Sequence, residues 1–155
     1  MLNALKELIA IPSITGSPPL PGMPFGQGIH DALEKALEIC AGLGFRTKKC
    51  GEYLGYAEIG QGAEMMAILA HLDVVPPGGG WSRDPFGGEI SEGKIYGRGV
   101  MDDKGPAISA IFAMKDILDS GKPVSYTHLD VYKRQSWKRS ALCWYPCPVP
   151  HQGTP

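Results

Sequence analysis

The feature that most narrows the possible folds is a run with no polar residue, Met65-Met66-Ala67-Ile68-Leu69-Ala70, set between a turn at Gly60-Gln61-Gly62 and the breaker cluster Pro76-Pro77-Gly78-Gly79-Gly80. A strand with one face in water alternates apolar and polar residues. A run without alternation predicts a strand covered on both faces by helices, and so an α/β layered sheet. Neighbouring segments supply the layers. From Asp31 to Gly44, Leu33, Ala36, Leu37, Cys40 and Ala41 recur at helical spacing while Glu34, Lys35 and Glu38 face elsewhere, which predicts an amphipathic helix stopped by Gly42 and Gly44. Phe45 to Cys50 and Tyr53 to Ile59 are short strand candidates, and Glu89-Ile90 and Lys94-Ile95-Tyr96 flank Ser91-Glu92-Gly93 as a hairpin. Pro106 to Leu118 reads as a helix buried on most of its surface.

Composition excludes several function classes. With 155 residues, 43% apolar and 20% charged, the chain can build one ordinary domain with its own core. Fifteen Lys and Arg against sixteen Asp and Glu leave a formal charge of −1, so no whole-chain field draws nucleic acid or an anionic membrane. A small-molecule substrate is expected. The opening MLNALKELIAIPSITG is interrupted by Lys6 and Glu7 and has no basic leader or cleavage site, which predicts a cytoplasmic location. The Met65 to Ala70 run is far short of the roughly 20 residues a membrane span needs. Cys40, Cys50, Cys143 and Cys147 form no CxxC pair and read as reduced thiols; Cys143 and Cys147 with His151, in a Pro-rich tail, read as chance rather than a metal cluster. Oligomeric state is not legible.

Chemistry gathers at two points. His71-Leu72-Asp73 follows the apolar strand at its expected C-terminal end, where open α/β sheets place ligands, and residues two apart on extended backbone share a face. An imidazole there can bind zinc while the carboxylate orients it. The second point is Gly97-Arg98-Gly99-Val100-Met101-Asp102-Asp103-Lys104-Gly105, where glycines permit close backbone approach and two acids precede a helix. A carboxylate so placed can bridge two metal ions. Each residue alone also has an ordinary structural role. A histidine at a strand end is usually a hydrogen-bonded residue, and Asp102 or Asp103 would serve as an N-cap. Trp81 and Phe86 would anchor loops, Arg98 would be a solvated charge, and His30 a structural residue.

Taken together, the segments are more specific. Ala70-His71-Leu72-Asp73-Val74-Val75-Pro76, Gly80-Trp81, Asp84-Pro85-Phe86, Gly93-Lys94-Ile95-Tyr96-Gly97-Arg98-Gly99 and Asp102-Asp103-Lys104-Gly105-Pro106 resemble, in order and spacing, the metal-binding core of the aminoacylase and peptidase V family of zinc-dependent exopeptidases. The likeness reaches back to Ile11-Pro12-Ser13. It implies an α/β fold, a mixed sheet flanked by helices, in a zinc-exopeptidase (phosphorylase/hydrolase-like) catalytic domain of which residues 1–123 would be the N-terminal part. It further implies His71 as a ligand of one zinc, Asp102 as the carboxylate bridging two, Asp73 as the catalytic acid that orients and polarises the site, and a cis peptide between Asp102 and Asp103. The implied reaction is metal-assisted amide hydrolysis, with two zinc ions and with cobalt or manganese as alternatives. Leu-Asp-Val-Val-Pro with Gly-Trp and Asp-Pro-Phe looks most like the dipeptidase branch; a deacylase or desuccinylase acting on N-acyl amino acids uses the same core. A non-catalytic metal-binding or interaction module is the alternative of another class.

The chain departs from the family pattern after residue 123. A Glu-Glu pair, general base then zinc ligand, is expected a little over thirty residues past the bridging Asp, but Val131-Tyr132-Lys133-Arg134-Gln135-Ser136-Trp137-Lys138-Arg139 contains no acid. Ser125 to Gln135 resembles an adaptor-like translation found at broken ends of unrelated environmental gene fragments. Residues 124–155 are therefore expected to be a disordered, non-native tail, and the chain as it stands to be inactive. His128-Leu129-Asp130 repeats His71-Leu72-Asp73, but its flanks differ and the repeat reads as coincidence.

Overall fold

The computed structural model describes residues 1–62, 65–121 and 126–132. Among the described residues, two helices lie against a four-stranded sheet and a third packs on both of them. Helix α1 (Leu2–Ile9) presents Ala4, Leu5, Leu8 and Ile9 to the core. With only eight residues it shows too little periodicity for the sequence to announce it. Helix α2 (Gln27–Gly42) buries Ile29, Ala32, Leu33, Ala36, Leu37 and Cys40, the stripe expected from its helical spacing except for Ala41, which is exposed, and begins four residues earlier than the predicted Asp31.

Strands β1 (Arg46–Cys50) and β2 (Leu54–Gly60) pair antiparallel, with Thr47 opposite Ala57. Strand β3 (Met65–His71) is the apolar run. A separate hairpin joins β4 (Glu89–Ser91) to β5 (Lys94–Tyr96) through Glu92 at φ 52 and Gly93 at φ 72, the paired left-handed conformation of a two-residue hairpin turn. Helix α3 (Lys104–Asp119) buries Ala107, Ile108, Ile111 and Met114. Strand β6 (Tyr126–Tyr132) completes the sheet in the order β1-β2-β6-β3, antiparallel to β2 and parallel to β3. This is the mixed sheet flanked by helices that was expected.

Two features differ from the sequence expectation. The strand β3 is covered on one face only. Ala70 turns toward the helical side and is buried, though Met66 at the start of that face is 65% exposed, whereas Met65 and Leu69, on the opposite face, are 60% and 71% exposed. The physical reason is placement: α2 packs on β1 and β2, α3 on β3, β6 and β2, and α1 on both helices, which puts all three on one side. Helix α3 is likewise covered along one stripe, leaving Ile117 and Leu118 in its last turn exposed. The second difference is β6, since residues 126–132 fall in the stretch expected to be disordered. Here their backbone lies between two strands, with Leu129 fully buried beside Ala57 and Ile68. His128-Leu129-Asp130 thus sits within a strand, unlike His71-Leu72-Asp73 at a strand end. No helix among the described residues is long and apolar enough to cross a membrane.

Candidate metal centre

Strand β3 ends at His71, and the chain then runs through buried Leu72, Asp73 and Val74. This segment is held by the stretch that follows α1. The Val74 N–H donates to the Ser13 carbonyl at 2.9 Å, the Thr15 N–H donates to the Val74 carbonyl at 2.9 Å, and the fully buried Ser13 hydroxyl donates to the Leu72 carbonyl at 2.6 Å. The second segment, Gly97 to Asp103, leads into α3. Gly105 makes that entry possible: a Cβ there would lie 1.9 Å from the Val100 carbonyl oxygen, so any side chain would collide with backbone. The Asp102-Asp103 peptide bond is cis, as the family resemblance implies.

The two segments converge on His71. Its Nε2 lies 2.9 Å from Asp102 Oδ1, and its Nδ1 lies 3.1 Å from the Asp73 carbonyl and 3.3 Å from Asp73 Oδ1. Its backbone N–H donates to Asp103 Oδ2 at 3.1 Å. A carbonyl oxygen can only accept, so Nδ1 carries the proton that faces Asp73, and the neutral ring then has its lone pair on Nε2. That lone pair faces a carboxylate oxygen. Two acceptors so close need a proton or a metal cation between them. Two ligands of one zinc lie roughly 3 to 4 Å apart, and Asp102, whose side chain is 77% exposed, has room for the small adjustment from 2.9 Å. His71 and Asp102 therefore fit one edge of a metal site by the chemistry of their donors. No group of three or more His, Cys, Asp or Glu side chains able to hold an ion occurs among the described residues.

Asp73 plays a different part from Asp102. It is buried behind the ring, where it touches the nitrogen turned away from Asp102. A carboxylate in that position can orient the ring. Asp103 occupies the N-cap position of α3 but makes no side-chain cap there; its carboxylate goes to His71 instead.

Lys104 was not singled out by the sequence. It is fully buried, and its Nζ donates to the carbonyls of Leu8 and Ile11, each at 2.7 Å. Burial pushes its pKa down to about 8, partly offset by the nearby Asp73 carboxylate. Ser13 and Asp103 also escaped notice as site residues. The signal available for Ser13 was Ile11-Pro12-Ser13 within the family likeness, and for Asp103 the doubled acid.

The remaining candidates have structural roles. Trp81 Nε1 and Arg98 both donate to the Pro77 carbonyl, at 2.9 and 3.1 Å, and the Arg98 guanidinium lies 5.4 Å from the Trp81 ring centre, closing the Pro-Gly loop. Arg98 is thus a loop clasp rather than a solvated charge. Phe86 donates its N–H to Asp84 Oδ1 in a turn. His30 packs beside Glu34 and Glu52, away from the His71 pair. Cys143, Cys147 and His151 lie outside the described residues, as does all but Val131 and Tyr132 of the 131–139 window expected to hold a Glu-Glu pair.

Comparison with known proteins gives this geometry its context. The family model described as "Peptidase family M20/M25/M40" matches residues 67–129. YtjP of Bacillus subtilis (strain 168) is 46% identical over 105 residues, 68% of this chain and 23% of its own length. The Beta-Ala-Xaa dipeptidase of Lactobacillus delbrueckii subsp. lactis is 42% identical over 123 residues, 78% of this chain and 26% of that protein. Among solved structures, the M20 family metallo-carboxypeptidase Sso-CP2 from Sulfolobus solfataricus superposes with a TM-score of 0.71 at 30% identity, covering 84% of this chain and 30% of that one. The chain thus spans about a quarter of the length of the curated relatives it matches.

Proposed function

Because the chain belongs to peptidase family M20/M25/M40, we propose that residues 1–123 are the N-terminal part of the catalytic domain of a metal-dependent dipeptidase. The observation that carries the metal reading is the 2.9 Å approach of His71 Nε2 to Asp102 Oδ1, two acceptors facing each other at the C-terminal end of β3. His71 and Asp102 would hold zinc, with cobalt or manganese as substitutes. Bound there, the metal supplies Lewis acidity that polarises the scissile carbonyl and the attacking water.

The chain's own residues do the positioning. Asp73 holds the proton of His71 on Nδ1 and so keeps Nε2 free to ligate. Asp103 holds the His71 backbone against the start of α3. A general base is absent from the recognised set, and the proposal assigns it, with the remaining ligands, to polypeptide not contained in residues 1–155. Similarity to a protein named as a Beta-Ala-Xaa dipeptidase supports a dipeptide substrate over an N-acyl amino acid. A cytoplasmic location belongs to the same reading.

The test is hydrolysis of a dipeptide panel with zinc, cobalt or manganese. The 155-residue chain should give no turnover above the metal-only blank, while a longer product of the same gene, read through its continuing frame, should hydrolyse dipeptides and lose activity on His71→Ala. Turnover by the 155-residue chain that His71→Ala removes would overturn the assignment of the missing groups. A longer product that binds zinc without hydrolysing any peptide would instead favour the non-catalytic module.

A further inference from the structure

The stretch between α1 and residue 15 touches both segments of the centre. On one side, Ser13 holds the His71 segment by two contacts, its hydroxyl on the Leu72 carbonyl and its carbonyl on the Val74 N–H, and Thr15 adds a third, its N–H on the Val74 carbonyl. Ile14 and Val74 form a parallel bridge at the same place. On the other side, Lys104, which directly follows Asp102-Asp103, sends its Nζ to the carbonyls of Leu8 and Ile11. The stretch is itself fixed from behind, since α2 presses on it at Gly28, where a Cβ would come within 2.3 Å of the Pro12 carbonyl oxygen.

We propose that the Leu8 to Thr15 stretch is a brace that sets the separation of His71 and Asp102, with Ser13 and Lys104 as positioning residues for the metal pair. Three facts favour this over ordinary packing. The two side chains are fully buried and polar, yet each spends its hydrogen bonds on main-chain carbonyls of the other partner segment rather than on its own. A buried hydroxyl or ammonium is costly unless so paired, so the position of each donor is tightly specified. Both donors also act within two residues of the groups that meet, Ser13 on the carbonyl next to His71 and Lys104 two residues from Asp102. Apolar packing could hold these segments together, but it is non-directional and tolerates small sliding. Two anchored hydrogen-bond clusters do not.

The proposal concerns geometry first, and it rests on the metal reading only for its effect on metal affinity. Its test therefore has a metal-free arm. The His71 N–H crosses from one segment to the other, to Asp103 Oδ2, so its hydrogen exchange reports the junction directly. Ser13→Ala removes one hydroxyl with little change of volume, and Lys104→Met is the second variant should the first not fold. Phe45→Leu, next to β1 at the opposite edge of the sheet from β3, reports what a general loss of stability does.

The expected result for Ser13→Ala in the 155-residue chain is a selective loss of His71 amide protection of about tenfold or more relative to the β1 and β2 amides, together with Co²⁺ affinity weakened about 10- to 100-fold. Phe45→Leu should lower all protection together and leave the Co²⁺ affinity of the folded fraction unchanged. If His71 protection in the brace variants stays at the unmodified level, or falls only in step with the β1 and β2 amides, the brace is refuted. If a longer product of the same gene, carrying the remaining ligands, shows no Co²⁺ binding that His71→Ala removes, the metal reading fails, and the exchange measurement still decides the brace.

Discussion

The segment carrying His71 and the segment carrying Asp102 meet at one point but are held to different degrees. Around His71, Leu72, Asp73 and Val74 are buried, and both ring nitrogens and the backbone N–H have partners. Around Asp102, only the base is fixed, by buried Lys104 and by Gly105 against Val100, while Met101 at 85% and Asp102 lie open to solvent. On the proposed metal reading, one donor would be preorganised and the other free to adjust onto a cation. Such a division limits the entropy lost on metal binding to one side chain, while leaving room to adjust bond length.

The largest way to break this contrast is to remove the base of the exposed segment. Lys104→Ala leaves a cavity and takes one hydrogen bond from each of the Leu8 and Ile11 carbonyls, which keep only the N–H groups of Ile11 and Ser13, and should destabilise the chain by about 3 to 5 kcal/mol in urea unfolding. A loss below about 1 kcal/mol would mean that the Ile11 and Ser13 N–H groups already satisfy the two carbonyls and that the ammonium adds little. Next in size is Gly105→Ala. Its Cβ would meet the Val100 carbonyl, a backbone atom that cannot rotate away, so a cost of about 2 to 3 kcal/mol is expected from the same measurement. A neutral result would show that the turn before α3 is looser than its geometry implies.

A smaller effect sharpens the contrast between the two carboxylates. Asp102→Asn should leave the thermal midpoint unchanged, because its side chain is largely in water, while weakening Co²⁺ binding at least about tenfold. Asp73→Asn should lower the thermal midpoint, since that carboxyl is buried. Calorimetry and cobalt absorption on the two variants would contradict the division if both midpoints moved alike. The smallest effect lies outside both segments. Burial pushes the Cys40 thiol in α2 up to about 12, from an ordinary 9.0. The folded chain keeps this proton at pH values where the unfolded chain has shed it, so this stabilisation is complete below pH 9 and is lost as pH rises toward 12. In urea titrations from pH 8 upward, the stability difference between the native chain and Cys40→Ala should hold constant up to 9.0 and shrink above it, and a change below it would mean that the thiol is not shielded.

Local pattern was sufficient for the elements that repeat regularly or carry breakers. The stripe of α2, the apolar β3, the Glu92-Gly93 turn and the two chemistry-bearing segments all show in the sequence because each depends on residues within a few positions of one another. The pairing of His71 with Asp102 across 31 positions came from family likeness rather than from pattern. What tertiary structure alone decided lies at longer range. Ser13 reaches Leu72 across 59 positions and Lys104 reaches Leu8 across 96, and nothing near a serine or a lysine in sequence distinguishes a buried donor from a solvated one. The bare face of β3 escaped for a related reason. An apolar run records that its side chains avoid water, but which face is covered depends on where α1, α2 and α3 dock, and all three dock on the same side.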